Sequence, residues 1–265
     1  MNIISMVISA KCQCDPMCKN HPLENSPFCK EHQRNCPRIA QLSGSEPKYN
    51  PSKYNKYKGM KDAQNCYAYA FNYKKLPKSC TKYKCSKAFP QPGRKSGYPK
   101  WSSVKGKRCP DLVSRLLGDI PDIKLSNFTE RCPKKHYKIA FVTDEDQDYH
   151  FYRQDSNGYW SHKPGSTDVI RVDALGRRIY DPALATREYN SSGLNYNNFC
   201  GYMCVPNTQQ LSLKRSGGSL QKIHYKGRQS RQSRQSKQSK QSRQSRQSRQ
   251  TRKHQKTKHK PVKIL

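Results

Sequence analysis

Apolar and aromatic positions concentrate between residues 62 and 206, and their spacing changes along the way. Asn65 is a good helix N-cap, and the alanines and aromatics after it suit a short buried helix with Cys66 in its first turn. Cys109-Pro110-Asp111 opens a second helix, whose Leu112, Val113, Leu116 and Leu117 form one apolar face before Gly118 ends it. From Tyr137 to Thr143 the period drops to two, with Tyr137, Ile139 and Phe141 inward. The chain then turns through 144–147 into Tyr149, Phe151 and Tyr152, and Ser156-Asn157-Gly158 separates these from Tyr159 and Trp160, as in a β-hairpin. Val169 to Val172 and Arg178 to Tyr180 flank a Leu175-Gly176 turn as a further hairpin, and Phe199 to Val205 reads as a last strand. The expected fold class is α+β, with a mostly antiparallel sheet.

The hairpin register decides what two histidines can do together. A two-residue loop, Asn157-Gly158, sets Arg153 opposite His162 and puts His150 on the other face. A three-residue loop with Gly158 left-handed sets Tyr152 opposite His162, so that His150 shares its face. The second register is the expectation.

Charge sets most of the remainder apart from this body. The 265 residues carry 52 Lys and Arg against 18 Asp and Glu, a net +34. Residues 214–265 hold 18 of the basic residues and no acidic one, leaving the rest of the chain at +16. From Arg228 to Thr251 a basic-Gln-Ser/Thr unit repeats eight times without an apolar residue, so 209–265 reads as a disordered tail. Such a polycation, with the basic body behind it, points to nucleic acid or another polyanion as partner. No run approaches the ~20 apolar residues of a membrane span. The apolar stretch Ile3 to Ala10 is short and lacks a basic flank, so the expected location is intracellular, not secreted.

The 12 cysteines are grouped. In residues 1–36, Cys18 precedes a Cys29-x-x-His32 pair, and Cys12, Cys18, Cys29 and His32 supply four ligands for a structural zinc, with Cys14 able to replace Cys12. Residues 37–60, rich in Pro, Ser, Asn, Lys and Tyr, read as a linker to a domain at 61–208. Cys80, Cys85, Cys109 and Cys132 lack a Cys-x-x-Cys pair and read as buried thiols rather than a second zinc site. Cys66, in a first helical turn, is expected to be acidified by the positive end of the helix.

The order Cys66, His150 on a strand, then His162 after a hairpin resembles nucleophile, base and orienting residue in papain-like enzymes of the NlpC and CHAP type. Tyr54 stands near where some members keep a tyrosine by the thiol. The resemblance implies a papain-like core and a cysteine hydrolase: a peptidase, amidase or acyltransferase. Bacterial members commonly have Asp-Cys-Ser-Gly where this chain has Asn65-Cys66-Tyr67-Ala68, so their substrate does not carry over. Cys18-Lys19-Asn20 with Cys29-Lys30-Glu31-His32 is similar to small zinc modules of giant DNA viruses. Asn65 to Tyr67, Gln91 to Gly93, Asp148 to His150 and Trp160 to Gly165 resemble uncharacterised bacterial and giant-virus proteins. The alternative is a non-catalytic nucleic-acid-binding or virion structural protein on an inactive papain-like fold.

Overall fold

The computed structural model describes residues 10–86, 89–103, 108–145, 147–189 and 193–207. All belong to the first of two units, Met1–Lys222; the second, Ile223–Leu265, contains no described residue. The expected disordered tail and most of the Ile3 to Ala10 run therefore lie outside the described residues.

Four helices, α1 (Ser52–Asn55), α2 (Lys58–Ala63), α3 (Cys66–Ala70) and α4 (Cys109–Asp119), precede or flank an antiparallel sheet. Its strands are β1 (Lys124–Ser126), β2 (His136–Thr143), β3 (Tyr149–Gln154), β4 (Trp160–Ser161) and β7 (Asn198–Pro206), in the order β1-β7-β2-β3-β4. A separate pair joins β5 (Glu188–Tyr189) to β6 (Leu194–Asn195). The α+β class with a mostly antiparallel sheet is thus present.

Helices α3 and α4 start as their sequences dictate: the Asn65 side chain accepts the Ala68 N–H at the head of α3, and Pro110 sits in the first turn of α4. The β2 alternation is deeper than its period-two pattern implied, because every residue from His136 to Thr143 is buried. Tyr137, Ile139 and Phe141 meet α3 and α4 on one face, while Ala140 and Val142 meet Tyr152, Trp160 and Tyr202 on the other. A central strand covered on both sides has no solvent face to mark with polar residues. Lys138 is the exception in composition, and its Nζ is satisfied by the Phe128 and Glu130 carbonyls at 2.7 and 2.5 Å. Burial lowers its pKa to about 8.

The hairpin register is the three-residue one. Arg153 pairs with Ser161 and Gln154 with Trp160, and Gly158 has φ +84°. The second predicted hairpin is reduced to one isolated bridge, Val172 to Arg178, while a separate bridge joins His162 to Ile170. Residues 37–60, read from composition as a linker, lie against the body: Ala40 is buried beside the sheet, the Ser43 hydroxyl donates to the His136 carbonyl, and Tyr54 is buried against Tyr69. Residues 11–36 do the same through the Gln13 side chain, whose Oε1 accepts from Tyr180 N at 2.6 Å, and through Phe28 against Tyr180.

Eight cysteines pair as Cys14–Cys36, Cys80–Cys85, Cys109–Cys200 and Cys132–Cys204. This corrects the expectation of buried free thiols at Cys80, Cys85, Cys109 and Cys132. Spacing hid the pairing because three of the four partners lie 22 to 91 residues apart and meet only through the fold.

Candidate functional site

Cys66, Asn65, Tyr149 and His150 line a cavity of about 480 Å³, with Gln91, Trp101 and Asp148 among its other walls. Its position follows from the length of β4. That strand pairs only with Arg153 and Gln154, leaving Tyr149 and His150 without a β4 partner, and α3 packs against the β3 face that carries Tyr149 and Phe151. Tyr149 and Phe151 face the α3 side; His150 and Tyr152 face the other. Thiol and imidazole therefore reach the same hollow from two sides of a strand. No hydrogen bond joins them among the described residues: the Cys66 thiol lies 3.9 Å from the Tyr149 carbonyl oxygen instead.

His150 and His162 do meet. His150 Nε2 and His162 Nδ1 are 2.8 Å apart, and His162 Nε2 is 2.9 Å from the Val172 carbonyl oxygen. A carbonyl only accepts, so His162 carries its proton on Nε2 and offers the Nδ1 lone pair. His150 must then donate from Nε2, which leaves its Nδ1 unprotonated. The two rings are nearly perpendicular, with centroids 4.9 Å apart, and Tyr152 and Tyr196 pack against them. Burial pushes the His150 pKa well below its usual 6.5, with the neighbouring His162 adding to the effect, and burial takes His162 down to about 4.

The surroundings of the thiol differ from the expectation. Burial, then the Asp148 carboxylate, pushes the Cys66 pKa well above that of a free thiol. The positive end of a five-residue helix does not offset the loss of water around a side chain that is only 5% exposed. Tyr54 packs on Tyr69, 4.9 Å between centroids, and does not line the Cys66 cavity.

Three contributors had no clear mark in the sequence. Asp148 lines the cavity and accepts from the Tyr196 hydroxyl at 3.2 Å. Lys163 is fully buried, and its ammonium donates to the Lys61, Gly165 and Thr167 carbonyls, fixing the Pro164 to Thr167 rim. Asp119 accepts from Gly93 N at 2.7 Å, Ser96 N at 2.8 Å and the Tyr67 hydroxyl at 3.2 Å, tying the Gln91 to Gly93 loop to the helix that carries Cys66. A carboxylate in the last turn of α4, where the helix dipole disfavours it, was the available signal.

The N-terminal ligand set also converges. Ligand atoms of Cys12, Cys18, Cys29 and His32 all lie within 4.8 Å of one another and can hold a metal ion. His32 Nδ1 is 3.4 Å from both the Cys12 and Cys29 sulfurs, and Cys18 and Cys29 are 3.8 Å apart. A tetrahedral ion with bonds of about 2.3 Å to sulfur has ligand edges of about 3.8 Å, so the spacing fits a single ion. Cys14, the alternative ligand, is excluded by its bond to Cys36. Burial works to raise the Cys29 pKa, but backbone hydrogen bonds from His32 and Glu31 and the neighbouring thiols bring it down to about 7. Among the described residues, no helix is long and apolar enough to cross a membrane.

No family model and no solved structure matches the chain. The expected papain-like class and viral source thus find no counterpart there. Among curated proteins, insoluble matrix shell protein 1 of Ruditapes philippinarum is 34% identical over 142 residues, covering 53% of this chain and 78% of that protein. With an identity of that level extending over more than three quarters of the relative, the chain belongs to the family of insoluble matrix shell protein 1.

Proposed function

We propose that the cavity is a thiol acyl-transfer site acting on an amide or ester, on a body of papain-like design that works in an oxidising extracellular matrix. One observation carries the reading: Cys66 is the single cysteine committed neither to a disulfide nor to the metal-ligand group, and it shares its cavity with an imidazole of fixed tautomer. The unprotonated Nδ1 of His150 accepts the thiol proton, directly or through one water, as the sulfur attacks the carbonyl carbon. His150 then protonates the leaving amine or alcohol as the carbon–nitrogen or carbon–oxygen bond breaks, giving a thioester. Water or a second amine releases the acyl group and returns the proton to sulfur. His162 keeps the base oriented through both of its nitrogens. The raised thiol pKa means that attack is coupled to proton removal rather than made by a standing thiolate.

The four disulfides favour an oxidising compartment over the reduced, intracellular one expected from sequence. Zinc suits the N-terminal group, because three thiolates and an imidazole form a closed set that needs no redox change. The tail at 209–265 supplies a polyanion-binding arm, for nucleic acid or for an acidic matrix polymer. A second reading, a purely structural matrix protein, is favoured by the name of the relative.

An electrophilic acyl probe with mass-spectrometric mapping separates the two. The wild-type chain should be modified at Cys66 and lose this with Cys66→Ala, and His150→Ala should slow it by about 10² or more. Labelling that ignores His150, or that falls on surface groups alone, would leave the structural reading in place.

A further inference from the structure

A second cavity, of about 240 Å³, is lined by Lys48, Lys53, Lys74 and Arg153, together with Tyr54 and Asn72, and no acidic residue lines it. The three lysines make no ion pair among the described residues; Arg153 pairs with Asp155 at 2.7 Å. Tyr54 is 2% exposed, and its hydroxyl has no aligned hydrogen-bond partner, its charged neighbour being the Arg153 guanidinium. The Asn72 Oδ1 is likewise buried and unpartnered, and a half-turn of that carboxamide presents an N–H in its place. Burial, then the charges of Lys53 and Arg153, lower the Lys74 pKa, as expected where cations face one another without an anion between them.

A net positive charge of +34 explains basic residues anywhere on the surface, but not a buried hydroxyl without an aligned partner in the wall of a cationic hollow. We infer that this cavity binds a tetrahedral oxyanion, a phosphate or sulfate group, held by Lys53, Lys74 and Arg153 with the Tyr54 hydroxyl as an additional donor. Such a group forms short charge-assisted hydrogen bonds to several donors at once and relieves the repulsion among the lysines. The volume admits a small anion or the terminal ester group of a larger molecule. The cavity shares no lining residue with the Cys66 site, and the inference does not depend on that site being active.

Competitive amine labelling of the full chain tests this, with a limiting acylating reagent at pH 8, inorganic phosphate as the probe and chloride matching the ionic strength. Phosphate should slow acylation of Lys53 and Lys74 saturably while leaving the tail residues Lys237 and Lys240 unchanged. Tyr54→Phe keeps the ring and should weaken phosphate about three- to tenfold, the range for one lost hydrogen bond. The surface variant Lys53→Ala should weaken it further. Protection by phenyl phosphate as well assigns the site to an ester-borne group; protection by inorganic phosphate alone assigns it to the free anion. Equal slowing at Lys74 and Lys237, or an unchanged midpoint in both variants, would overturn the assignment.

Discussion

His162 donates from Nε2 to the Val172 carbonyl at 2.9 Å, and this one bond sets the proton positions of the whole pair. His162→Ala should therefore cost about 10²-fold or more in Cys66 acylation, because His150 loses its fixed tautomer. His162→Asn, which keeps an oxygen able to accept from His150 Nε2, should recover part of the loss. The rates of the two variants, measured with the same acyl probe, check this. Equal rates would remove the orienting role.

The thiol prediction follows from its surroundings. Alkylation of Cys66 should rise with pH up to and beyond pH 9 without an early plateau, since burial and Asp148 hold the proton on sulfur. Asp148→Asn removes the carboxylate charge and should speed alkylation several-fold at a given pH. A plateau near neutral pH in the wild type would mean that a thiolate stands ready, contrary to the buried environment.

Acid should loosen the histidine hairpin. His150 and His162 have folded pKa values below their unfolded value of about 6.5, with His162 near 4. The unfolded chain then binds more protons through that window. Stability from these groups is complete above about pH 6.5 and falls as pH drops toward 4, by an amount on the order of a few kcal/mol. Urea midpoints followed by the fluorescence of buried Trp160 should decline between pH 7 and 4.5. A flat profile in this window would show that the pair is already charged or exposed.

One metal ion per chain is expected at the N-terminal group. Cys29→Ser or His32→Ala should abolish binding of zinc, or of cobalt read by its thiolate absorption, whereas Cys14→Ser should not. Metal loss with Cys14→Ser comparable to that with Cys29→Ser would reinstate Cys14 as a ligand.

The tail prediction is electrostatic. If residues 209–265 neutralise about eight phosphates, log affinity for duplex DNA should fall with log salt at a slope of roughly −7, and deletion of the tail should remove most of it. Retention of the full slope by the truncated body would place the polyanion site on that body.

The elements with strong local chemistry were legible from sequence. Asn65 capped α3, Cys109-Pro110 opened α4, and the left-handed Gly158 set the register that brought His150 and His162 onto one face. Cys12, Cys18, Cys29 and His32 converged because close pairs leave a chain few other arrangements. Long-range facts were not legible. Backbone acceptors such as Val172 O have no residue code, and disulfide partners as distant as Cys109 and Cys200 can be matched only once the sheet is built. Asp155 carries no mark of its burial for the same reason: it sits beside the turn, yet Arg153 and Ser161 draw it inside, where it is 2% exposed.

The order β1-β7-β2-β3-β4 places β7, the last strand among the described residues, inside its sheet, between β1 and β2. A chain emerging from synthesis can form the β2–β3 hairpin early, but β2, buried along its whole length in the finished protein, has one bare edge until Asn198–Pro206 arrives. Cys109 and Cys132 have no native partner before that moment, since both bond to cysteines on β7. Assembly is therefore gated by its final strand, and a nascent body lacking it would offer an apolar ribbon edge and two unmatched thiols to its neighbours at once.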